Sequence, residues 1–369
     1  MKIAFIANTS WNIFNFRKGL VHFFLDRGDE VIMLSPADEY AEKVESWGVR
    51  WIETPLDGTG INPVQDLKYL LLIYKIFRKE NPDVILSFTI KSNIYSCLAA
   101  SMNSMPVICN VSGLGTVFLV KGITGRIAMM LYKLAFRHAR YIFFQNQDDQ
   151  ELFTNHIQVK EEKRGLLPGS GINLDEYPYT KPPFGKPLKI LMISRLIIEK
   201  GVREFAEAAS FFADRKEVAF TLVGKFDENH SRSIDKAELE RWIDNDWISY
   251  LPHSNKIKDL IASHEVVILP SYREGTPRTL LESAAMGRPL MASNVPGCKE
   301  VVMDGNNGFL FEVKNAKSMM SKVKLYMSLS EAERTEMSLA SRSLVEEKFD
   351  EKLVIKTYDA VICRILDAS

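Results

Sequence analysis

Two carboxylates and two cations in the second half of the chain have the types and spacing for chemistry on a ligand that is both charged and rich in hydroxyls. Residues 270–288 read Pro-Ser-Tyr-Arg-Glu-Gly-Thr-Pro-Arg-Thr-Leu-Leu-Glu-Ser-Ala-Ala-Met-Gly-Arg. The apolar run Val266-Val267-Ile268-Leu269 before them predicts a strand, and a helix is expected from about Pro277, a favoured first helical residue. Such a strand–turn–helix aims the backbone N–H groups of Gly275, Thr276, Pro277's successor Arg278 and their neighbours at the end of the strand, a ready phosphate site. Glu274 precedes the helix and Glu282 lies on it. Carboxylates repel phosphate, so these two are expected to accept hydrogen bonds from sugar hydroxyls. A nucleotide-sugar carries both kinds of group.

The cations lie upstream. Leu188-Lys189-Ile190-Leu191-Met192-Ile193 is a strand-like run, followed by Ser194, Arg195, Leu196 and then Glu199-Lys200-Gly201-Val202. Val202, Phe205, Ala206, Ala209 and Phe212 continue at helical spacing. Ser194, Arg195 and Lys200 therefore fall on a loop at the carboxyl end of a strand. A guanidinium can fork onto two diphosphate oxygens there while an ammonium acts as a mobile point charge. Taken alone, the pair reads more readily as solvated surface charge; the Glu274–Glu282 element in the same half of the chain is what favours a site.

Together these segments resemble the donor-binding signature of retaining glycosyltransferase family four, with its Glu-x7-Glu element. The resemblance implies a GT-B fold: α/β, with two Rossmann-like domains facing each other across a cleft. It implies that Arg195 and Lys200 hold the donor diphosphate, that Glu274 orients the donor sugar and that Glu282 holds the ribose. Arg195, Lys200 and Glu274 are then the catalytic set. Ser194, Gly275, Thr276, Pro277, Arg278 and Glu282 complete donor binding. It further implies a UDP-sugar co-substrate, no other cofactor and no metal.

Composition sets the limits. The chain has 369 residues, 46% apolar and 25% charged, enough for two globular domains. Lys+Arg and Asp+Glu both total 47, so no basic excess points to nucleic acid. Cys97, Cys109, Cys298 and Cys363 are scattered, without metal-site spacing, which fits a reducing cytoplasm. A strand-like run opens the chain, leaving no room for a signal peptide, and no apolar run has the length of a membrane span. Asp244-Asn245-Asp246 is formally Asp-x-Asp but reads as a turn between helix and strand.

Strand-like runs alternate with helical segments, which argues for parallel sheets with crossover helices. Strands are expected near 2–7, 30–34, 50–54, 84–88, 106–110, 140–145 and 164–168, then near 188–194, 218–223, 247–251, 265–269, 289–292 and 308–311. The proline-rich segment 177–187 between the two series reads as an interdomain linker. The expected domains are 1–178 on the acceptor side, 188–349 on the donor side, and a C-terminal helix, 350–369, that can cross back to the first.

In the first half, the loop after the first strand reads Asn8-Thr9-Ser10-Trp11-Asn12-Ile13-Phe14-Asn15-Phe16-Arg17 and lacks the adjacent glycines common in the family. Side chains such as Asn8, Ser10 or Asn12 are therefore expected to make the contact. Gly113 and Gly115, in Cys109-Asn110-Val111-Ser112-Gly113-Leu114-Gly115, sit where close backbone approach to a ligand is useful. No histidine lies near that loop, where many members carry one. The Asn-Phe-Arg and Gly-Leu-Gly forms resemble the capsule and O-antigen branch, which implies a polyprenyl-diphosphate-linked saccharide as acceptor. Pro168-Gly169-Ser170-Gly171-Ile172-Asn173 resembles the family's Gly-Val-Asp element, and a glycine turn explains it as well.

Between Asp83 and Asp148 no acidic residue occurs, while Lys91, Lys121, Arg126, Lys133, Arg137 and Arg140 do, with the apolar series Val117 to Phe136 among them. A basic, apolar, amphipathic segment suits an anionic membrane surface, and peripheral attachment to the inner face of the cell membrane is expected. The reaction expected is transfer of a hexose or N-acetylhexosamine. The alternatives are a nucleotide-sugar epimerase of the same fold and an inactive partner of a transferase. The sequence does not specify the sugar, the linkage or the acceptor.

Overall fold

The computed structural model describes residues 1–56, 62–114, 123–228, 230 and 232–367, with backbone alone at 123–128. The chain divides into two compact units, Met1–Ser170 with Glu351–Ser369, and Gly171–Asp350.

In the first unit seven described strands form one sheet: β1 (Lys2–Ile6), β2 (Glu30–Ser35), β3 (Arg50–Glu53), β4 (Val84–Phe88), β5 (Val107–Val111), β6 (Tyr141–Phe144) and β7 (Arg164–Leu166). Their order is β3-β2-β1-β4-β5-β6-β7, and every pairing is parallel. Parallel strands are covered on both faces, so they read as unbroken apolar runs; every residue of β4 and β5 is buried. One face packs against the helices Pro63–Glu80, Ile90–Ser101, Ile123–Phe136 and Gln147–His156. The other packs against Lys18–Asp26 and the C-terminal helix Glu351–Asp367, which buries Val354, Tyr358, Val361, Ile362 and Ile365.

The second unit repeats the plan with β8 (Leu188–Ile193), β9 (Val218–Val223), β10 (Ser249–Leu251), β11 (Val266–Leu269), β12 (Leu290–Ser293) and β13 (Gly308–Phe311), in the order β10-β9-β8-β11-β12-β13. These pairings too are all parallel. The residues read as a helical stripe from Val202 to Phe212 are all buried in its core. The strand order of each sheet reverses once, between β1 and β4 and between β8 and β11. The diverging loops at such a point leave a crevice beyond the carboxyl ends of the strands.

The proline-rich segment does not behave as a free linker. The chain divides after Ser170, upstream of the boundary at 178 read from the sequence, and residues 177–187 are docked on the second unit. Arg342 donates to the carbonyls of Tyr177 and Ala285, each at 2.8 Å. The buried Arg288 guanidinium bonds the Thr180 hydroxyl at 2.7 Å and the carbonyls of His264 and Met286. Arg342 at the Tyr177 carbonyl and Arg288 at the Thr180 carbonyl thereby satisfy acceptors of the proline-rich backbone and tie them to the rest of the unit. Asp244 ends the helix Lys236–Asp244, and Asp246 has φ +53°, so Asp244-Asn245-Asp246 forms a turn into β10.

Candidate active site

At the switch point of the second sheet the loops after β8, β11 and β12 converge. Ser194 leaves β8 with its amide bonded to the Val223 carbonyl, and its hydroxyl donates to the Arg195 carbonyl at 3.2 Å. Arg195 is exposed and has no ion-pair partner among the described residues. The chain then tightens through Ile198–Lys200 into Gly201, whose φ is +71°. A Cβ on Gly201 would lie 2.1 Å from the Pro270 carbonyl oxygen. Only glycine lets the β8 and β11 loops pass this closely. The Tyr272 amide, donating to the Glu199 carbonyl at 2.8 Å, ties them together.

That tie brings Lys200 onto Glu274, and ammonium and carboxylate form an ion pair, with side chains 20% and 12% exposed. The family resemblance assigned these two residues to different parts of the ligand; in the structure they hold each other. Gly297, after β12, backs the turn. Its φ is +80°, and a Cβ there would meet the Gly275 carbonyl oxygen at 2.1 Å and that of Glu274 at 2.8 Å. Cys298 follows it, buried, and burial with the nearby Glu274 charge pushes its thiol well up, so it is an inert protonated filler.

Pro277 does not open the helix. Its φ and ψ, −72° and 113°, are extended, so it is the N-cap and the helix is Arg278–Ala285. A proline side chain cannot cap the first turn, which leaves that turn's N–H groups to other partners. Glu282, one turn along, accepts from Arg278 Nε at 2.8 Å and from the Tyr177 hydroxyl at 2.9 Å. Burial works against the Arg278 charge, yet Glu282 and Tyr177 hold the guanidinium above its ordinary pKa. Burial and Glu282 push the Tyr177 phenol up as well, so it serves as a donor. The crevice thus sets Arg195, Lys200 and Arg278 against Glu274 and Glu282, with each carboxylate already oriented by a cation. Such a set suits a diphosphate beside hydroxyl groups. Tyr177 escaped sequence reading, because a tyrosine among prolines carries no local sign of a partner 105 residues away.

At the switch point of the first sheet Asn8 and Gly113 meet, as Asn8 follows β1 and Gly113 follows β5. With Thr89, Lys91, Asn93, Asn110, Ser112 and Tyr132 they line a cavity of about 200 Å³. Ser10 does not join them. It is fully buried, its hydroxyl lying 2.7 Å from that of Ser35 and donating to the Pro36 carbonyl, so its work is to pin the helix start to β2. Asn12 is half-buried on the helix Ser10–Phe16, its backbone amide capped by the Thr9 hydroxyl. Gly115 lies outside the described residues. Asn173 accepts from the amides of Asp175 and Glu176, which makes its segment a turn. Thr89, Asn93 and Asn110 had no sequence signal as a set, since only the sheet order gathers them.

Two family models match the chain: "Glycosyl transferases group 1" over residues 175–343 and "Glycosyl transferase 4-like" over residues 2–146. The chain is 32% identical to the N,N'-diacetylbacillosaminyl-diphospho-undecaprenol alpha-1,3-N-acetylgalactosaminyltransferase of Campylobacter jejuni, over 98% of this chain and 99% of that one. It is 24% identical to the UDP-Gal:alpha-D-GlcNAc-diphosphoundecaprenol alpha-1,3-galactosyltransferase of Escherichia coli, over 74% and 73% of the two. The fold is that of Alr3699/HepE from Anabaena, solved with UDP and glucose, with a TM-score of 0.80 at 16% identity and coverage of 99% and 100%. With a full-length relative at this identity and both halves matched, the chain belongs to the group 1, family-four-type glycosyltransferases of GT-B fold.

Proposed function

We propose that this glycosyltransferase moves a hexose or N-acetylhexosamine from a UDP-sugar onto a polyprenyl-diphosphate-linked saccharide, with retention of configuration and without a metal, in the building of an O-antigen-type, capsule-type or related glycan. The observation that carries the reading is the second-unit crevice, where Arg195, the Lys200–Glu274 pair and the N-terminal turn of the helix Arg278–Ala285 adjoin. Departing UDP gathers negative charge, and preorganised cations and N–H groups stabilise it as it forms. Glu274 orients the sugar hydroxyls and Glu282, held by Arg278 and Tyr177, takes the ribose. The cations do the work that a divalent metal would otherwise do. Retention is supported by the name of the Escherichia coli relative, which prints UDP-Gal as donor and an alpha-1,3 product, because UDP-galactose itself carries an α-linked sugar. Both names also print a diphosphoundecaprenol-linked saccharide.

The enzyme works at the inner face of the cell membrane, attached peripherally. Among the described residues no helix is long and apolar enough to cross a membrane. The helix Ile123–Phe136 and the residues after it expose Met130, Lys133, Leu134 and Arg137, an apolar and cationic set suited to anionic lipid. Lys121 and Arg126 lie outside the described side chains, and Lys91, also in the acid-free stretch, is neutralised by Asp66.

Transfer from radiolabelled UDP-sugars onto polyprenyl-diphosphate saccharides tests the reaction, with donor alone as the control. Conversion of donor without acceptor would identify an epimerase, and no transfer from any donor would sink the proposal. Flotation with anionic liposomes tests attachment: Lys121, Arg126 and Lys133 changed together to Glu should abolish it, and a wild type that stays unbound at low salt refutes it.

A further inference from the structure

Glu282 accepts two side-chain hydrogen bonds, and both fall on one oxygen. Arg278 Nε donates to its Oε1 at 2.8 Å, and the Tyr177 hydroxyl donates to the same atom at 2.9 Å. Oε2 takes no hydrogen bond from the described residues, and the side chain keeps 13% of its surface exposed. A carboxylate oxygen can accept two bonds, so the capacity of Oε1 is filled while that of Oε2 is open to a ligand with hydroxyl groups.

The two donors are held in different ways. Arg278 lies four residues before Glu282 on the same helix, so its bond moves with that helix. Tyr177 lies outside the helix and is fixed separately. It belongs to the same buried apolar cluster as Leu281, Ala285 and Leu344, and the Lys258 ammonium stands 4.8 Å from the centre of its ring. Arg342 donates both to the Tyr177 carbonyl and to that of Ala285, the last residue of the helix, each at 2.8 Å. One guanidinium therefore ties the residue that supplies the hydroxyl to the helix that carries the carboxylate. The last torsion of a glutamate is broad when nothing constrains it. Two donors from separate elements on one oxygen constrain it, and the position of the other oxygen follows.

We propose that Tyr177 is a positioning residue that sets donor specificity: by fixing Oε1 of Glu282 it presents Oε2 to the ribose, so that the site selects ribonucleotides over deoxyribonucleotides. The placement of the ribose rests on the function proposed above. The part played by the tyrosine does not follow from that placement, because phenylalanine would fill the same apolar cluster without the hydroxyl.

Calorimetry on the full chain with UDP, 2′-deoxy-UDP and 3′-deoxy-UDP tests it. Wild type should bind at least one deoxynucleotide about tenfold or more weakly than UDP, the effect of losing a hydrogen bond to a charged group. Tyr177→Phe deletes a single oxygen, and thermal melts check that it is folded. It should bind UDP at least about fivefold more weakly, while the penalty for that deoxynucleotide shrinks to less than about threefold, the coupling that a double-mutant cycle reads. If the variant weakens all three nucleotides equally, the tyrosine is structural and the proposal is overturned. Unchanged UDP affinity in the variant, or a wild type that binds all three nucleotides alike, overturns it too and leaves the donor reading standing. A wild type that binds no UDP removes the donor reading and this one with it.

Discussion

Glu274→Gln should separate turnover from nucleotide affinity, and in opposite directions. The Lys200–Glu274 pair is partly buried, with side chains 20% and 12% exposed. Two charges about 4 Å apart at an effective dielectric near 20 attract by roughly 4 kcal/mol. Desolvation and side-chain ordering leave about 1 kcal/mol net for a pair of this kind. A diphosphate that reaches Lys200 must share it with Glu274. Glutamine keeps the size of the side chain but releases the ammonium, so UDP should bind as tightly as before or up to about fivefold more tightly. Turnover should move the other way. Losing the carboxylate removes the charge that complements the cationic anomeric carbon, at a cost of about 2.7 kcal/mol, or roughly 100-fold in kcat. Calorimetry with UDP and steady-state transfer at saturating donor measure the two effects. Because the side chains touch, their effects should not add, and in a Lys200→Ala background the tightening should vanish. Near-wild-type kcat, or UDP affinity weakened more than about tenfold, would refute the reasoning.

Arg195→Ala should weaken UDP binding at least about tenfold in calorimetry, since Arg195 is exposed at the crevice and its proposed contact with the diphosphate is charge-assisted; unchanged affinity removes Arg195 from the site. Gly297→Ala should cost about 1–3 kcal/mol in denaturant melts and lower UDP affinity, because its Cβ would strike the backbone of Glu274 and Gly275 at a φ of +80°. His264 is buried, its ring bonded to the Leu260 carbonyl and the Thr221 hydroxyl, and burial holds its pKa below the ordinary 6.5. The unfolded chain therefore takes up that proton first, so stability present above pH 6.5 falls as pH drops below it. His264→Gln should flatten this dependence in melts between about pH 7.5 and 5.5, and an unchanged slope would assign it to other groups.

The sequence by itself determined the elements and where chemistry falls along the chain. All thirteen described strands lie within a residue or two of the expected ranges; the central ones are legible because a parallel strand buried on both faces is an unbroken apolar run, while the edge strands β3, β7 and β10 are shorter, partly exposed and marked by little more than their place in the alternation. Arg195 and Lys200 fall after a strand, and Glu274 before a helix, because hydrophobic runs and Pro277 mark those ends locally. Even here the helix starts one residue later than the proline suggests.

What only the tertiary structure decided is who meets whom. Sheet order places the switch point of the first unit between β1 and β4, which gathers Asn8, Thr89 and Asn110 while Ser10 turns inward to Ser35. Lys200 and Glu274 are 74 residues apart and Asn110 and Tyr358 are 248 apart, yet both pairs are in contact. The proline-rich segment reads as loose until Arg288 and Arg342 are seen to hold its Thr180 and Tyr177 carbonyls. The physical reason is range. Propensity and periodicity act over a few residues and are written locally, whereas pairing across a sheet depends on loop closure and on burial summed over the whole unit.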